Sequence, residues 1–202
     1  FFYKSSMFRV VVVCLLVALV SCQGPPPPGN EGCCTPDQWQ GYVTGTSYVN
    51  EEALSEYVYY DYTNQRLRSD VVFLDNESHN VLETVLILAD SQVVYITDYL
   101  NNQCVYYNST APLIRACAPP GDGFYDYTLG VTLNARSYFY NVGSTKAEFS
   151  VSMPECIPIS GIFLSQAQDQ EFAYAYFDVT LGIDDPLVFT PPSGCTKISP
   201  PS

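Results

Sequence analysis

The sequence predicts an all-β fold with little helix. Apolar and polar residues alternate with period two in several segments, which is the pattern of half-buried strands. Turn-forming residues separate those segments. Because short turns join neighbouring strands as hairpins, the sheets are expected to be mostly antiparallel.

Three segments show the alternation most clearly, and a strand is predicted over 66–73, 125–133 and 146–153. In the first, Leu67, Val71 and Phe73 share one face. The segment 81–89 is ambiguous because its apolar spacing also suits a helix, but its β-branched residues favour a strand. Turns are predicted at 63–65, 121–123 and 141–145.

The N-terminal residues predict a secretory signal. Met7 is the first plausible start, the apolar run from Val10 to Val20 follows it, and Ser21 and Cys22 are small residues near a cleavage point. Residues 1–22 are therefore taken as upstream residues plus a signal peptide. The apolar stretch from Phe8 to Val20 is shorter than the about 20 residues that span a bilayer, so no membrane span is expected.

The stretch from Leu19 to Cys22 also resembles a bacterial lipobox, which would attach a lipid to Cys22. Two Asn-X-Ser/Thr acceptors, at Asn76 and Asn108, instead favour a eukaryotic secretory route with N-glycosylation. We therefore expect a secreted, extracellular glycoprotein.

Composition predicts one acidic domain after the signal. Residues 23–32 are proline-rich and lack apolar periodicity, so they are expected to be extended, and 33–202 is expected to form a single β domain. Loss of Lys4 and Arg9 leaves six basic residues against 21 acidic ones, a net charge of −15. Such a surface excludes nucleic acid as a partner and suits solubility or cation binding.

Six cysteines follow the signal, an even number that predicts three disulfides in a secreted chain. Cys33 and Cys34 are neighbours, which rarely bridge one another, so both are expected to join the N-terminal end to later strands. Their partners stay open among the remaining four. Zinc is disfavoured because no Cys-X2-Cys pair is present. The six are Cys33, Cys34, Cys104, Cys117, Cys156 and Cys195.

Aromatic residues are abundant, with 17 Tyr and 11 Phe. Packing between sheets explains most of them. The segment from Tyr57 to Tyr62 is apolar on both faces, so it is expected to be covered on both sides and to line a core and a cavity. A hydrophobic ligand could occupy such a cavity.

Motifs of catalysis are missing, so the protein is not expected to be an enzyme. The sequence has no Gly-X-Ser-X-Gly elbow, phosphate loop or His-Glu-X-X-His motif. Its one histidine, His79, lies in a loop-like segment beside Asn76, and that segment also fails the EF-hand pattern. Paired carboxylates for glycoside chemistry stay possible because sequence cannot place them. No redox or nucleotide cofactor is expected.

Several motifs together resemble the ependymin family. The C-terminal block 182–195 contains Asp184-Asp185-Pro186 and resembles the family's C-terminal signature. Further similar blocks lie at Cys34 to Gly41, at Tyr60 to Arg68, and at Cys156 to Ser160. The chain departs from the family pattern at Gln40, where an acid is usual, and in the additional Cys33.

The resemblance implies a secreted, N-glycosylated, calcium-binding protein. It also implies two stacked, curved antiparallel sheets forming a half-open shell around an apolar pocket, similar to bacterial lipoprotein carriers. A homodimer formed through one sheet is implied as well.

Two functional hypotheses follow. In the first, the shell binds a lipid or other hydrophobic molecule. In the second, the protein is an acidic structural or adhesive component of an extracellular or calcified matrix, with calcium held by Asp184 and Asp185. The candidate pocket residues are Trp39, Tyr60, Tyr62, Phe73, Tyr174, Tyr176 and Phe177.

Overall fold

The computed structural model describes residues 32–47, 52–74, 79–118, 122–165 and 170–200. Within these ranges the chain forms fourteen β-strands and one short 3-10 helix, so the all-β class is confirmed. No helix among these residues is long and apolar enough to cross a bilayer. The predicted signal, most of the proline-rich segment and Asn76 lie outside the described residues.

The strand bounds follow the predicted alternation for most of the chain. The strands are β1 (Cys33–Cys34), β2 (Gln38–Ser47), β3 (Glu52–Asp61), β4 (Arg66–Leu74), β5 (His79–Leu88), β6 (Val93–Asp98), β7 (Gln103–Asn108), β8 (Cys117–Ala118), β9 (Gly123–Leu129), β10 (Leu133–Val142), β11 (Thr145–Ser152), β12 (Pro158–Ser165), β13 (Gln170–Leu181) and β14 (Thr196–Lys197). The 3-10 helix spans Pro186–Phe189. The ambiguous segment 81–89 lies mostly in β5, as its β-branched residues predicted.

Twelve strands form one continuous sheet in the order β14-β7-β6-β5-β4-β3-β2-β13-β12-β11-β10-β9. The strands β1 and β8 pair in a separate two-stranded sheet. Among the strands of the described ranges, only β14 and β7 pair in parallel. Hydrogen bonds thus run without a break from one end of the large sheet to the other. The antiparallel prediction is confirmed.

The segment before and within β8 contacts both halves of the large sheet. Leu113 packs with Trp39 and Tyr60 in one core cluster. Ala118 packs with Tyr138 and Val151, on β10 and β11, in another. One short segment can reach both groups only because the sheet curves around it. We call the side of the sheet that faces this segment the inner face.

The predicted strand 125–133 was wrong in one respect. The chain turns at 130–132 and forms the hairpin of β9 and β10, in which Leu129 lies opposite Leu133. Gly130 makes the turn with a φ of +59°. The period-two pattern continues across the turn because both arms place these leucines on the same face.

Three disulfides fix the ends of the chain, as predicted. Cys34 bonds to Cys117 on β8, and Cys33 bonds to Cys156 in the connection between β11 and β12, so both N-terminal cysteines join later parts of the chain. The third joins Cys104, on β7, to Cys195 near the C-terminus.

The C-terminal segment covers the opposite, outer face of β3 and β4. Arg68 Nη1 donates to the Val188 carbonyl at 2.8 Å. The guanidinium of Arg66 lies 4.2 Å from the centre of the Phe189 ring, and Phe189 also contacts Tyr59 edge-on. The two-sided apolar character of β3 therefore reflects this segment on its outer face and the core on its inner face.

Candidate functional site

Aromatic side chains from β2, β3 and β13 meet on the inner face. Strand register places Trp39 beside Tyr60. The Trp39 ring stacks on Tyr60 at 5.6 Å between centroids and meets Tyr176 edge-on at 5.8 Å. Tyr176 in turn contacts Tyr174 edge-on at 5.7 Å. Four of the seven predicted pocket residues thus form one aromatic wall.

Tyr60 and Trp39 form the closed end of this wall. Tyr60 is 1% exposed, and its hydroxyl donates to the Ile114 carbonyl at 3.2 Å and accepts from the Ala116 amide at 3.0 Å. Burial raises the pKa of Tyr60 to about 12. These bonds attach the 113–116 segment to the sheet, so Tyr60 acts here as a core residue.

Tyr174 and Tyr176 form the more open end. Both keep accessible surface, although burial raises the pKa of each hydroxyl. These two rings are therefore less enclosed than those of Trp39 and Tyr60. The Tyr174 ring occupies the space over Gly161, where any Cβ would collide with it.

Two buried carboxylates share the inner face with these rings. Register aligns Tyr176, Val43, Glu56, Val71 and Glu83 in one row across five strands. Glu56 is 3% exposed and Glu83 is 6% exposed. The Ser69 hydroxyl donates to Glu56 Oε2 at 2.6 Å. The inner face is therefore apolar and aromatic, with negative or hydrogen-bonding groups on one row.

Sequence reasoning missed Glu56 and Glu83. The signal was present, because Glu56 is in phase with Val58 and Tyr60 and so lies on the apolar side of its strand. An acidic residue on the apolar face of a strand is unusual, because burying a carboxylate costs free energy unless the group has a hydrogen-bond or ionic partner.

The other predicted pocket residues lie elsewhere or are undefined. Tyr62 lies in the turn after β3 and packs against the same core cluster. Phe177 is 53% exposed because it points to the opposite face of β13 from Tyr176, so the structure does not bring it to the inner face. The Phe73 side chain lies outside the described part of β4.

Asp184 and Asp185 already hold the C-terminal segment in place. Gln40 Nε2 donates to Asp184 Oδ2 at 2.8 Å, and the Asp184 amide donates back to Gln40 Oε1 at 3.2 Å. Asp185 caps the 3-10 helix by accepting from the Leu187 amide at 2.9 Å. In the described ranges no three His, Cys, Asp or Glu side chains converge as metal ligands. These two acids alone do not form a preorganised calcium site, and calcium binding stays a prediction.

Asn108, the second predicted glycosylation site, is exposed at the end of β7. It pairs with Val93 of β6, and both residues lie on the outer face. A glycan there would extend away from the inner face. Its attachment stays a prediction, as does that at Asn76.

This chain is thus an all-β protein in which one curved, mostly antiparallel sheet carries aromatic side chains on its inner face and disulfides join distant parts of the chain. The ependymin family model matches residues 76–195, more than half of the chain. The chain belongs to the ependymin family.

A mammalian relative agrees with this assignment. The chain is similar to mammalian ependymin-related protein 1 of Mus musculus, with 27% identity over 95% of this chain and 86% of the relative. An uncharacterised protein of Thermus thermophilus shares the fold, with a TM-score of 0.55, 17% identity, and coverage of 81% of this chain and 90% of that one. A LolA superfamily protein of Nitrosomonas europaea is more distant, with a TM-score of 0.37, 10% identity, and coverage of 77% and 90%.

Proposed function

We propose that this protein is a secreted, non-catalytic ependymin-type glycoprotein that binds a hydrophobic ligand, such as a lipid, against the inner face. The aromatic wall of Trp39, Tyr174 and Tyr176 supports the proposal most directly. Burying an acyl chain against such a wall contributes about 25 cal/mol per Å² of apolar surface.

The charge of the inner face selects among hydrophobic ligands. Glu56 and Glu83 lie in the row of Tyr176, so a ligand carboxylate placed there would meet like charge. An uncharged lipid with hydroxyl groups avoids that cost and can donate to a carboxylate. Monoacylglycerols are therefore the proposed ligand class.

Trp39 gives a direct test, because it is the one tryptophan in the chain. Titration with monoolein should change its emission and saturate, and native mass spectrometry of protein from its natural source should reveal bound lipid. Tyr176→Ala should weaken binding, whereas the matched control Tyr125→Ala, on an exposed outer position, should not. A protein that neither carries nor takes up lipid would contradict the proposal.

Calcium binding is proposed at the outer loop of Asp184 and Asp185. An ion there would take its remaining oxygens from water, which corresponds to weak, millimolar-range affinity. Calorimetry with calcium should show heat that disappears in the double variant Asp184→Asn, Asp185→Asn. An unchanged heat of calcium binding in this variant would show that calcium binds at other residues.

A homodimer is proposed through the β9–β10 hairpin at the end of the sheet. Leu129, Val131 and Leu133 are 39%, 93% and 43% exposed at its tip. Neighbouring apolar side chains of this kind are typical of association surfaces. Val131→Asp should shift the protein to monomer in sedimentation velocity, and an unchanged mass would exclude this surface.

The acidic composition favours a second candidate, a structural or adhesive component of an extracellular or calcified matrix. Twenty-one acidic residues against eight basic ones would bind a calcium-bearing mineral surface. Adsorption to calcium carbonate that resists moderate salt would support it, and lack of adsorption would remove it.

A further inference from the structure

A groove of about 360 Å³ lies on the outer face of the sheet. It is separate from the aromatic wall, because Phe139 points away from its β10 neighbour Tyr138. On β12, Ile162 pairs with Ala173, whose side chain points away from that of Tyr174 on β13. Its lining residues are Phe139, Tyr140, Asn141, Lys146, Ala147, Glu148, Ile162 and Leu164.

Strand register arranges six of these eight lining residues in two rows across β10, β11 and β12, whereas Tyr140 and Ala147 pair with each other between these rows and point to the opposite face. One row runs Phe139, Glu148, Ile162, and the next runs Asn141, Lys146, Leu164. Each row has a polar or charged residue on the central strand and an apolar residue on β12. The groove therefore has an apolar side and a charged centre.

Lys146 is the unusual charge in this groove. All four arginines of the described ranges form ion pairs with an aspartate. Lys146 has no carboxylate partner among the described residues, although the chain carries 21 acids. Glu148, its neighbour in the groove, instead accepts from the Tyr125 hydroxyl at 3.2 Å.

We propose that this groove binds an amphipathic anion, with the carboxylate at Lys146 Nζ and the alkyl chain over Phe139, Ile162 and Leu164. An ammonium that has no carboxylate partner among the described residues and lies beside apolar side chains complements such a molecule in both charge and polarity. The volume is at the small end of ligand pockets and suits a chain of about ten carbons. Unlike the inner face, the groove offers a cationic side chain, Lys146, in the row next to Glu148.

Calorimetry with sodium decanoate tests the proposal, with 1-decanol as the uncharged probe. Lys146→Met should weaken decanoate about fivefold, since an exposed ion pair contributes up to about 1 kcal/mol. Decanol binding should not change. The matched control Lys197→Met removes the other lysine that has no ion pair in the described ranges and should leave decanoate binding intact.

A second variant separates this groove from other sites. Ile162→Glu should abolish the binding of decanoate while the circular dichroism and melting temperature stay unchanged, because Ile162 is 42% exposed. Trp39 emission should not respond to decanoate, since Trp39 lies on the other face. Three results would overturn the proposal. The first is decanoate binding that Lys146→Met does not weaken, and the second is decanoate binding that changes Trp39 emission. The third is a parent protein that binds no decanoate and that Ile162→Glu converts from a dimer to monomers. The failure of monoolein binding would leave the proposal standing.

Discussion

Asp61 is a fully buried carboxylate that the turn after β3 stabilises. Its oxygens accept from Gln38, from the amide and side chain of Asn64, and from Arg66 at 2.7 Å. Burial alone would raise the pKa of Asp61, but the hydrogen bonds from Asn64, Gln38 and Arg66 together lower it below its ordinary value. The ionised form is thus favoured by folding.

We expect Asp61→Asn to lower the free energy of unfolding by about 3 kcal/mol, because it leaves Arg66 without its buried partner. The Asp61 contribution is complete above the ordinary carboxyl pKa of about 4 and is lost as the pH falls through the lowered value. Urea unfolding at a series of pH values should show that the difference in unfolding free energy between Asp61→Asn and the parent protein becomes smaller as the pH falls from neutral to acidic. Asp126→Asn, which breaks an exposed pair with Arg136, is the control and should have little effect. Equal losses in both variants would contradict this account.

Gln40 is a residue-scale departure from the family pattern, and its amide supplies both partners that Asp184 needs. Gln40→Glu would place two carboxylates against each other and remove the donor. We expect a loss of about 1 kcal/mol that calcium at about 1 mM restores, because a divalent cation can bridge two carboxylates. Thermal melts with calcium and with a chelator measure this. A melting temperature insensitive to calcium would contradict the expected bridge.

At the scale of elements, the two distant family motifs in 60–68 and 184–189 meet on the outer face of the sheet. Arg68 reaches Val188, and Arg66 covers Phe189. These motifs therefore hold the C-terminal segment against β3 and β4. Their spacing in the sequence gave no hint of this contact, because it depends on where the chain returns after β13.

Gly41 on β2 lies against the part of β13 where the register shifts, between Phe177 and Thr180. A Cβ at Gly41 would lie 3.0 Å from the Val179 Cα and 3.1 Å from the Phe177 carbonyl oxygen, and backbone atoms cannot move aside easily. We expect Gly41→Ala to destabilise the protein by about 2 kcal/mol. Gly123→Ala, where nothing lies within 4 Å of the new Cβ, should change stability by less than about 0.5 kcal/mol. Chemical denaturation of both variants compares them directly, and equal stability would show that β13 can shift.

At the scale of the whole molecule, buried tyrosines limit stability at alkaline pH. Burial raises the pKa of Tyr60, Tyr140, Tyr174 and Tyr176 above the ordinary value of about 10. The unfolded chain therefore loses these protons first. Stability is complete below about pH 10 and should fall by up to about 1.4 kcal/mol per pH unit for each tyrosine above it. Unfolding followed from pH 8 to 12 should show one cooperative loss of folded structure, and tyrosinate absorbance should rise as the protein unfolds. Tyrosinate absorbance from these buried residues in the folded protein would contradict this expectation.

Sequence patterns predicted most of the architecture and part of the site. Alternation identified the strands because each is half-buried, and the cysteine count predicted three disulfides. The pairing of Cys34 with Cys117 could not be predicted, because it depends on β8 folding back beneath the sheet. Phe177 was grouped with Tyr176 by sequence proximity, whereas adjacent strand residues point to opposite faces. The groove at Lys146 could not be predicted either, because it depends on the register of three neighbouring strands, β10, β11 and β12.

The pairing of β2 with β13 has a consequence for biosynthesis. Val43 lies opposite Tyr176, so the chain through β13 must leave the ribosome before β2 gains its second neighbour. Until then β2 presents an open hydrogen-bonding edge, which chaperones would need to shield from aggregation. Nascent chains truncated before residue 170 should consequently stay bound to chaperones, and release should coincide with the arrival of β13.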